Sequence, residues 1–224
     1  MATNNSGDKG TRNLVIAMVA FIVVVGVIFS LVSNRSNSNY AVPATVSEAD
    51  GYGIVLNPTS TPKIDVYLDY QCPACRAFEL INGEYLNEVI AQKKAKVVFH
   101  PLTFIGPESI IAANAVACAA DENKFVDMNL ALYKNQASSE NSGKWQGDAM
   151  LAVGDSIGLR SDSFKKCVAD GKYVKWTGNV SVASGKANIN STPTIRIDGK
   201  DLDRNTEYGD PVKFKAALTA GGVK

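Results

Sequence analysis

The chain has 224 residues and a mass of 23.9 kDa, enough for one compact domain with appendages and too short for a large multidomain assembly. Lys and Arg number 23 against 22 Asp and Glu, so the net charge of +1 lacks the basic surplus needed to track a phosphate backbone, and no nucleic-acid partner is expected. With 46% hydrophobic and 20% charged residues, the composition is that of a chain able to bury a core.

Taken in chain order, the first feature is Leu14 to Val32, LVIAMVAFIVVVGVIFSLV, a run without a charge. At 1.5 Å per residue it makes about 28 Å of helix, roughly one hydrocarbon core. Cleaved secretory signals carry a shorter apolar region, about 7–15 residues, and a small-residue cleavage site. Here Ser33-Asn34-Arg35-Ser36 follows instead, so an uncleaved single-pass transmembrane helix is expected over residues 14–32. Lys9 and Arg12 precede the span and only Arg35 closely follows it. The positive-inside rule therefore makes residues 1–13 a cytoplasmic tail and places the rest outside, anchored to the cell membrane. Residues 33–50, rich in Ser, Asn and Ala, read as a linker, with the working domain starting near Gly51.

Lys63 to Tyr70 is rich in β-branched and aromatic residues and reads as a strand that stops at Gln71-Cys72-Pro73. Proline is favoured at the first helical position, where its missing N–H would have no acceptor in any case. A helix is therefore expected from Pro73, with Phe78, Ile81, Tyr85 and Val89 as its buried stripe. Lys96 to Pro101 is a second strand, which completes a β-α-β unit. Helical patterns follow over 107–122, 124–135, 145–157 and 161–170, the last with Gly171 as a stop. Thr194 to Lys200 reads as a strand turning at Asp198-Gly199, and a final helix covers Pro211 to Ala220. The expected class is α/β: strands at both ends, over 51–106 and 186–224, with a helical block at 107–185 between them.

Cys72-Pro73-Ala74-Cys75 sits at the junction of the first strand and its helix. A Cys72 thiolate there would lie against the first amides and the positive end of the helix dipole, which lowers its pKa below that of a free thiol. The thiolate is the nucleophile in disulfide exchange, and Cys75, one turn further on, is placed to resolve a mixed disulfide. A zinc site would need a second ligand pair, and Cys118, Cys167 and His100 have no knuckle spacing, so no metal is expected. A purely structural disulfide across two residues would close too short a loop to stabilise much.

Tyr67-Leu-Asp-Tyr-Gln-Cys-Pro-Ala-Cys75, Phe78-Glu79 just beyond it, and Ser191-Thr-Pro-Thr194 before the Asp198-Gly199-Lys200 turn resemble the DsbA-like thiol–disulfide oxidoreductases of the thioredoxin superfamily, in particular their membrane-anchored Gram-positive and actinobacterial type. The resemblance covers roughly residues 51–224 and implies a thioredoxin fold with an inserted all-helical subdomain, preceded by one transmembrane helix. It makes Cys72 the attacking cysteine and Cys75 its partner, with Pro73 and Ala74 between them. Thr192-Pro193 would be the cis-proline loop that faces the thiols. Glu79 matches an acidic position on the active-site helix, able to tune thiol ionisation or relay protons. Two departures stand out. Val66 occupies the strand position where many relatives keep a buried acid, with Asp69 as the acid nearer the thiols. The intervening pair is Pro-Ala and not Pro-His, so a polar, potentially cationic neighbour of the thiolate is missing.

Cys118 and Cys167 fall in the helical block among inward-looking residues. They are read as a structural disulfide because disulfides persist outside the membrane, with buried free thiols or a relay pair as the alternatives. His100, the single histidine, and Trp145 and Trp176 read as structural. No phosphate loop or Ser-His-Asp set is present, and no cofactor is expected. The resulting reading is an extracytoplasmic, monomeric enzyme that introduces disulfides into unfolded or partly folded exported proteins. The resemblance implies reoxidation by a membrane quinone-linked partner, DsbB-like or vitamin-K-epoxide-reductase-like. The alternatives are a reductase or isomerase of the same fold, or a non-catalytic chaperone or adaptor that holds peptides in an apolar groove beside Pro193.

Overall fold

A computed structural model of the chain describes residues 40–224. The tail expected at 1–13, the membrane span expected at 14–32 and most of the linker lie outside the described residues. Within them a six-stranded sheet runs in the order β1-β2-β4-β3-β5-β6, formed by β1 (Val46–Ser47), β2 (Gly53–Leu56), β3 (Lys63–Leu68), β4 (Lys96–Pro101), β5 (Thr194–Ile197) and β6 (Lys200–Asp201). Only β3 and β4 are parallel, as their connection through helix α1 (Pro73–Ala91) requires; every other pairing is antiparallel. The sheet thus begins inside the segment expected as linker, because Val46 pairs with Ile54 and Ser47 with Gly53. So short a pair of strands has no alternation for a sequence pattern to reveal.

The last hairpin follows the sequence closely. Asp198 and Gly199 both have positive φ, 45° and 82°, as the tight turn between β5 and β6 demands. The Asp198 carboxylate accepts from the Lys63 amide at 2.9 Å, and the Asp198 amide donates to the Lys63 carbonyl at 2.9 Å, which pins the turn to β3.

Between β4 and β5 lie α2 (Pro107–Ala120), α3 (Phe125–Lys134), α4 (Gly147–Ser156), α5 (Asp162–Ala169) and α6 (Val174–Lys186). The block expected over 107–185 takes in nearly all of α6, but none of the separate patterns named within it does, because Gly178, Ser181, Ser184 and Gly185 weaken the apolar period there. The residues of α2 from Ala112 to Ala120 are all buried, because α3, α4, α5 and α6 all pack on it. Trp145 and Trp176 fill this block, and Trp176 Nε1 donates to the Tyr52 carbonyl at 2.9 Å. His100 is buried on β4, where it stacks on Tyr67 at 4.1 Å between ring centres and bonds through Nε2 to Asp65 at 3.0 Å.

A disulfide joins Cys118 on α2 to Cys167 on α5, with their Cα atoms 5.9 Å apart. A hollow of about 500 Å³ lies over this bond and touches neither Cys72 nor Cys75. Because the bond closes 49 residues of chain, replacing both cysteines with Ala is expected to lower the unfolding free energy by about 4 kcal/mol. Urea denaturation under non-reducing conditions measures this, and an unchanged midpoint would contradict it.

Candidate active site

The junction between β3 and α1 is organised by Asp69. Its buried carboxylate accepts from the Gln71 amide at 2.9 Å, the Ile105 amide at 3.1 Å and the Ser109 hydroxyl at 2.7 Å. Its carbonyl accepts from the Cys72 amide at 3.0 Å and from the Tyr133 hydroxyl at 3.3 Å, while its own amide points at Cys75 Sγ, 3.5 Å away. Burial pushes the Asp69 pKa up, and these donors oppose the shift. Gln136, just past α3, closes the turn by donating to the carbonyls of Tyr70 at 2.7 Å and Cys72 at 3.1 Å.

Held in this way, Cys72 caps α1 in an extended conformation (φ −72°, ψ 119°), with Pro73 opening the first turn. Pro73 is exposed and Ala74 half-buried, so solvent reaches the helix start. Cys72 is 9% exposed and Cys75 only 1%. The two thiols are driven apart in acidity. Cys75 is the largest influence on Cys72; desolvation works against it, while the Thr192 side chain and the amides of Cys75 and Ala74 add to it, and the pKa falls to about 6. Burial, followed by the bond to Cys72, pushes Cys75 well up. The helix amides expected to govern Cys72 therefore contribute, but less than the neighbouring thiol does. A full hydrogen bond from a group in contact outweighs partial charges spread along a helix end.

Opposite the thiols, the Thr192–Pro193 bond is cis and the Thr192 carbonyl lies 3.5 Å from Cys72 Sγ. A second cis bond, Thr61–Pro62, lies at the start of β3 and carried no signal in the sequence. The hollow beside Pro193, about 480 Å³, is lined mainly by polar side chains including Ser191, Thr194, Asp203 and Arg204. It is not the apolar groove that a peptide-holding adaptor would need.

Glu79 lies one turn beyond Cys75 and is buried. One carboxylate oxygen accepts from Asn129 at 2.9 Å, and Asn129 in turn accepts from the Tyr70 hydroxyl at 3.0 Å. The other oxygen has no partner, and desolvation raises the pKa to about 7. Gly83 makes the room, since a Cβ there would sit 2.8 Å from the carboxyl oxygen. Glu79 bonds to neither sulfur; it faces the site through Asn129 and Tyr70. The helix face differs from the expected stripe: Ile81 is 46% exposed, whereas Glu79 and Asn82 are buried. Both polar residues find partners, Asn82 donating to the Tyr208 carbonyl at 2.8 Å.

Arg204 and Tyr208, which the sequence reading did not single out, belong to the site. Both lie in a π-helical turn, Arg204–Tyr208, and both bond the carbonyls of the cis-proline loop.

This arrangement of β-α-β unit, helix-capping thiol and facing cis-proline agrees with the family match, in which residues 50–214 fit the model described as Thioredoxin. The chain belongs to the thioredoxin family. As a thioredoxin-family protein it is 24% identical over 147 residues to "Disulfide bond formation protein D" of Bacillus subtilis, covering 63% of this chain and 65% of that one. It is 25% identical over 149 residues to "Na(+)/H(+) antiporter NhaA 1" of Salinispora arenicola, covering 65% of this chain and 22% of that protein. The chain thus spans less than two thirds of the length of these curated relatives. Among solved structures, MdbA of Actinomyces oris, described as a thiol-disulfide oxidoreductase, superposes with a TM-score of 0.71 at 22% identity over 82% of this chain and 93% of that one. The common feature is the thioredoxin fold with its helical insertion.

A carboxyl protonated more readily in the folded state stabilises the fold at low pH, and loses that contribution as pH rises from its unfolded value of 4.5 through about 7. The isosteric Glu79→Gln variant keeps the Asn129 bond and removes the titration. It is expected to gain up to about 3 kcal/mol relative to wild type between pH 4 and pH 8. Denaturation at the two pH values checks this, and an equal difference at both would contradict it.

Proposed function

We propose that this protein is a thiol–disulfide oxidoreductase that introduces disulfides into exported proteins outside the cytoplasm, anchored by residues 14–32. The observation that carries the reading is the placement of the thiol pair: Cys72 at the start of α1 with its Sγ 3.5 Å from the cis-proline carbonyl, beside a buried Cys75, a setting that lowers the Cys72 pKa to about 6 and raises that of Cys75. Two of the relatives, a disulfide bond formation protein and a thiol-disulfide oxidoreductase by name, support the same chemistry.

In the reaction a substrate thiolate attacks Cys72 Sγ of the Cys72–Cys75 disulfide. The internal S–S bond breaks, Cys75 leaves and takes up a proton, and a mixed disulfide joins Cys72 to the substrate. A second substrate thiolate then attacks the substrate sulfur of that bond and Cys72 departs as a thiolate. Two electrons have passed to the cysteine pair, and a membrane quinone-linked partner, DsbB-like or vitamin-K-epoxide-reductase-like, removes them with the accompanying protons. The low pKa of Cys72 makes it a good leaving group and stabilises the reduced form, which favours oxidation of substrates. At pH 7 a thiol of pKa about 6 is stabilised over one of 9.0 by about 1.4 kcal/mol before solvent screening reduces it, or about 30 mV in a two-electron couple. The Pro-Ala pair between the cysteines favours the second reading, a reductase of the same fold, because it supplies no cation to the thiolate.

The reduction potential separates the two directions. A value closer to about −120 mV is expected for the oxidase, and one near thioredoxin's, about −270 mV, would overturn it. A Cys75→Ser variant is further expected to accumulate mixed disulfides with exported proteins through Cys72, seen as DTT-sensitive complexes that vanish when Cys72 is also replaced by Ser.

A further inference from the structure

We propose that Arg204 is a positioning residue for the Cys72 thiolate: its guanidinium, held on the carbonyl oxygens of Thr192 and Pro193, supplies the positive charge that the Cys-Pro-Ala-Cys sequence lacks. The inference deepens the redox reading of the thiol pair given above and rests on it.

Nη2 of Arg204 donates to the Thr192 carbonyl at 3.1 Å and to the Pro193 carbonyl at 3.1 Å. Nε donates to the Tyr208 hydroxyl at 3.3 Å, and that hydroxyl donates on to the Pro193 carbonyl at 2.9 Å. The π-helical turn is what brings residues 204 and 208 onto the same loop. Tyr208 is fixed to the active-site helix by the bond from Asn82 to its carbonyl and by edge-on contact with Phe78, 5.7 Å between ring centres. Arg204 is therefore coupled to both walls of the site.

The Thr192 oxygen that Arg204 holds is the one resting 3.5 Å from Cys72 Sγ. With Cys72 protonated, the S–H can donate to that oxygen. Once the proton leaves, two electron-rich atoms face each other, which disfavours the thiolate unless the oxygen's charge is drawn off. A guanidinium on that oxygen draws it off, and its own charge attracts the sulfur.

The other ionisable groups around the pair give no such help. Asp69 and Glu79 are acids, Tyr70 and Tyr133 are buried with raised pKa values, and Arg76 is engaged with the Tyr133 carbonyl at 3.1 Å. Arg204 forms no ion pair among the described residues: the Glu207 carboxylate caps the Asp203 amide, and that of Asp203 caps Asn205 and Thr206. The hydrogen bond to Tyr208 is the main cause of the raised Arg204 pKa, and the charges of Cys72 and Cys75 add to it. By linkage the same attraction acts on Cys72.

Arg204 is exposed, so solvent screens the effect and it is expected to be modest. In the full chain, Arg204→Gln should move the midpoint of thiolate formation, followed by absorbance at 240 nm, upward by a few tenths of a pH unit. It should also shift the glutathione redox equilibrium about two- to threefold toward the disulfide, or about 10–15 mV at 29.6 mV per tenfold. Arg204→Lys, which keeps the charge, should stay near wild type, and the gap between wild type and Arg204→Gln should close in about 1 M salt. Arg204→Ala gives a second charge-free reading if Arg204→Gln proves unstable. Charge-free variants that match wild type in both measurements, or a Lys variant that behaves like the Gln one, would overturn the proposal. Only differences between variants are read here. A wild-type potential typical of a reductase would sink the oxidase direction and leave this result standing, whereas an oxidising potential indifferent to Arg204 would sink this inference alone.

Discussion

The site depends on the influence of one buried thiol on its neighbour. Burial pushes the Cys75 thiol up so that it keeps its proton, and its polar contact with Cys72 is the largest cause of the lowered Cys72 pKa. Burial alone would raise both thiols and make the pair inert, since desolvation always disfavours the charged form. The two thiols are brought together by the sharp turn between β3 and α1, and that turn is built on Asp69, whose carboxylate, carbonyl and amide are all engaged in it. Substituting Asp69 would disturb the thiols through the backbone they stand on, although its carboxylate touches neither sulfur.

The helical insertion completes this turn. Ser109 from α2, Tyr133 from α3 and Gln136 just beyond it supply donors to the backbone and carboxylate of residues 69–72, and Asn129 links Glu79 to Tyr70. A polar network so far from bulk water is worthwhile only when nearly every member is satisfied. The exception is the unpartnered Glu79 oxygen, which sits where a proton can be held at neutral pH. The disulfide between α2 and α5 fastens the same block far from the chemistry.

Local chemistry was legible in the sequence wherever one residue type forces one backbone geometry. Pro73 marks the start of α1, Asp198-Gly199 marks the last hairpin, and the cysteine spacing puts two thiols on one helical turn. What escaped depends on tertiary partners. Glu79 and Asn82 are buried in place of Ile81 because Asn129 and the Tyr208 carbonyl meet them, and no periodicity encodes that. Arg204 and Tyr208 reach the cis-proline loop through a five-residue turn that matches neither helical nor strand periods. The β1–β2 hairpin was hidden by its brevity, and α6 by its glycines and serines. The Asp65–His100 pair joins residues on neighbouring strands and shows only once β3 and β4 are in register.

Burial, the turn and the facing carbonyl all converge on the ionisation of one sulfur. The rate at which iodoacetamide alkylates Cys72, followed from pH 4 to 10 in the reduced protein, measures that ionisation in the wild-type chain. A rate that rises through a midpoint near 6 and is level by neutral pH is the expected result. A rate still climbing through 9 would show an ordinary thiol and contradict the lowered pKa on which the rest is built.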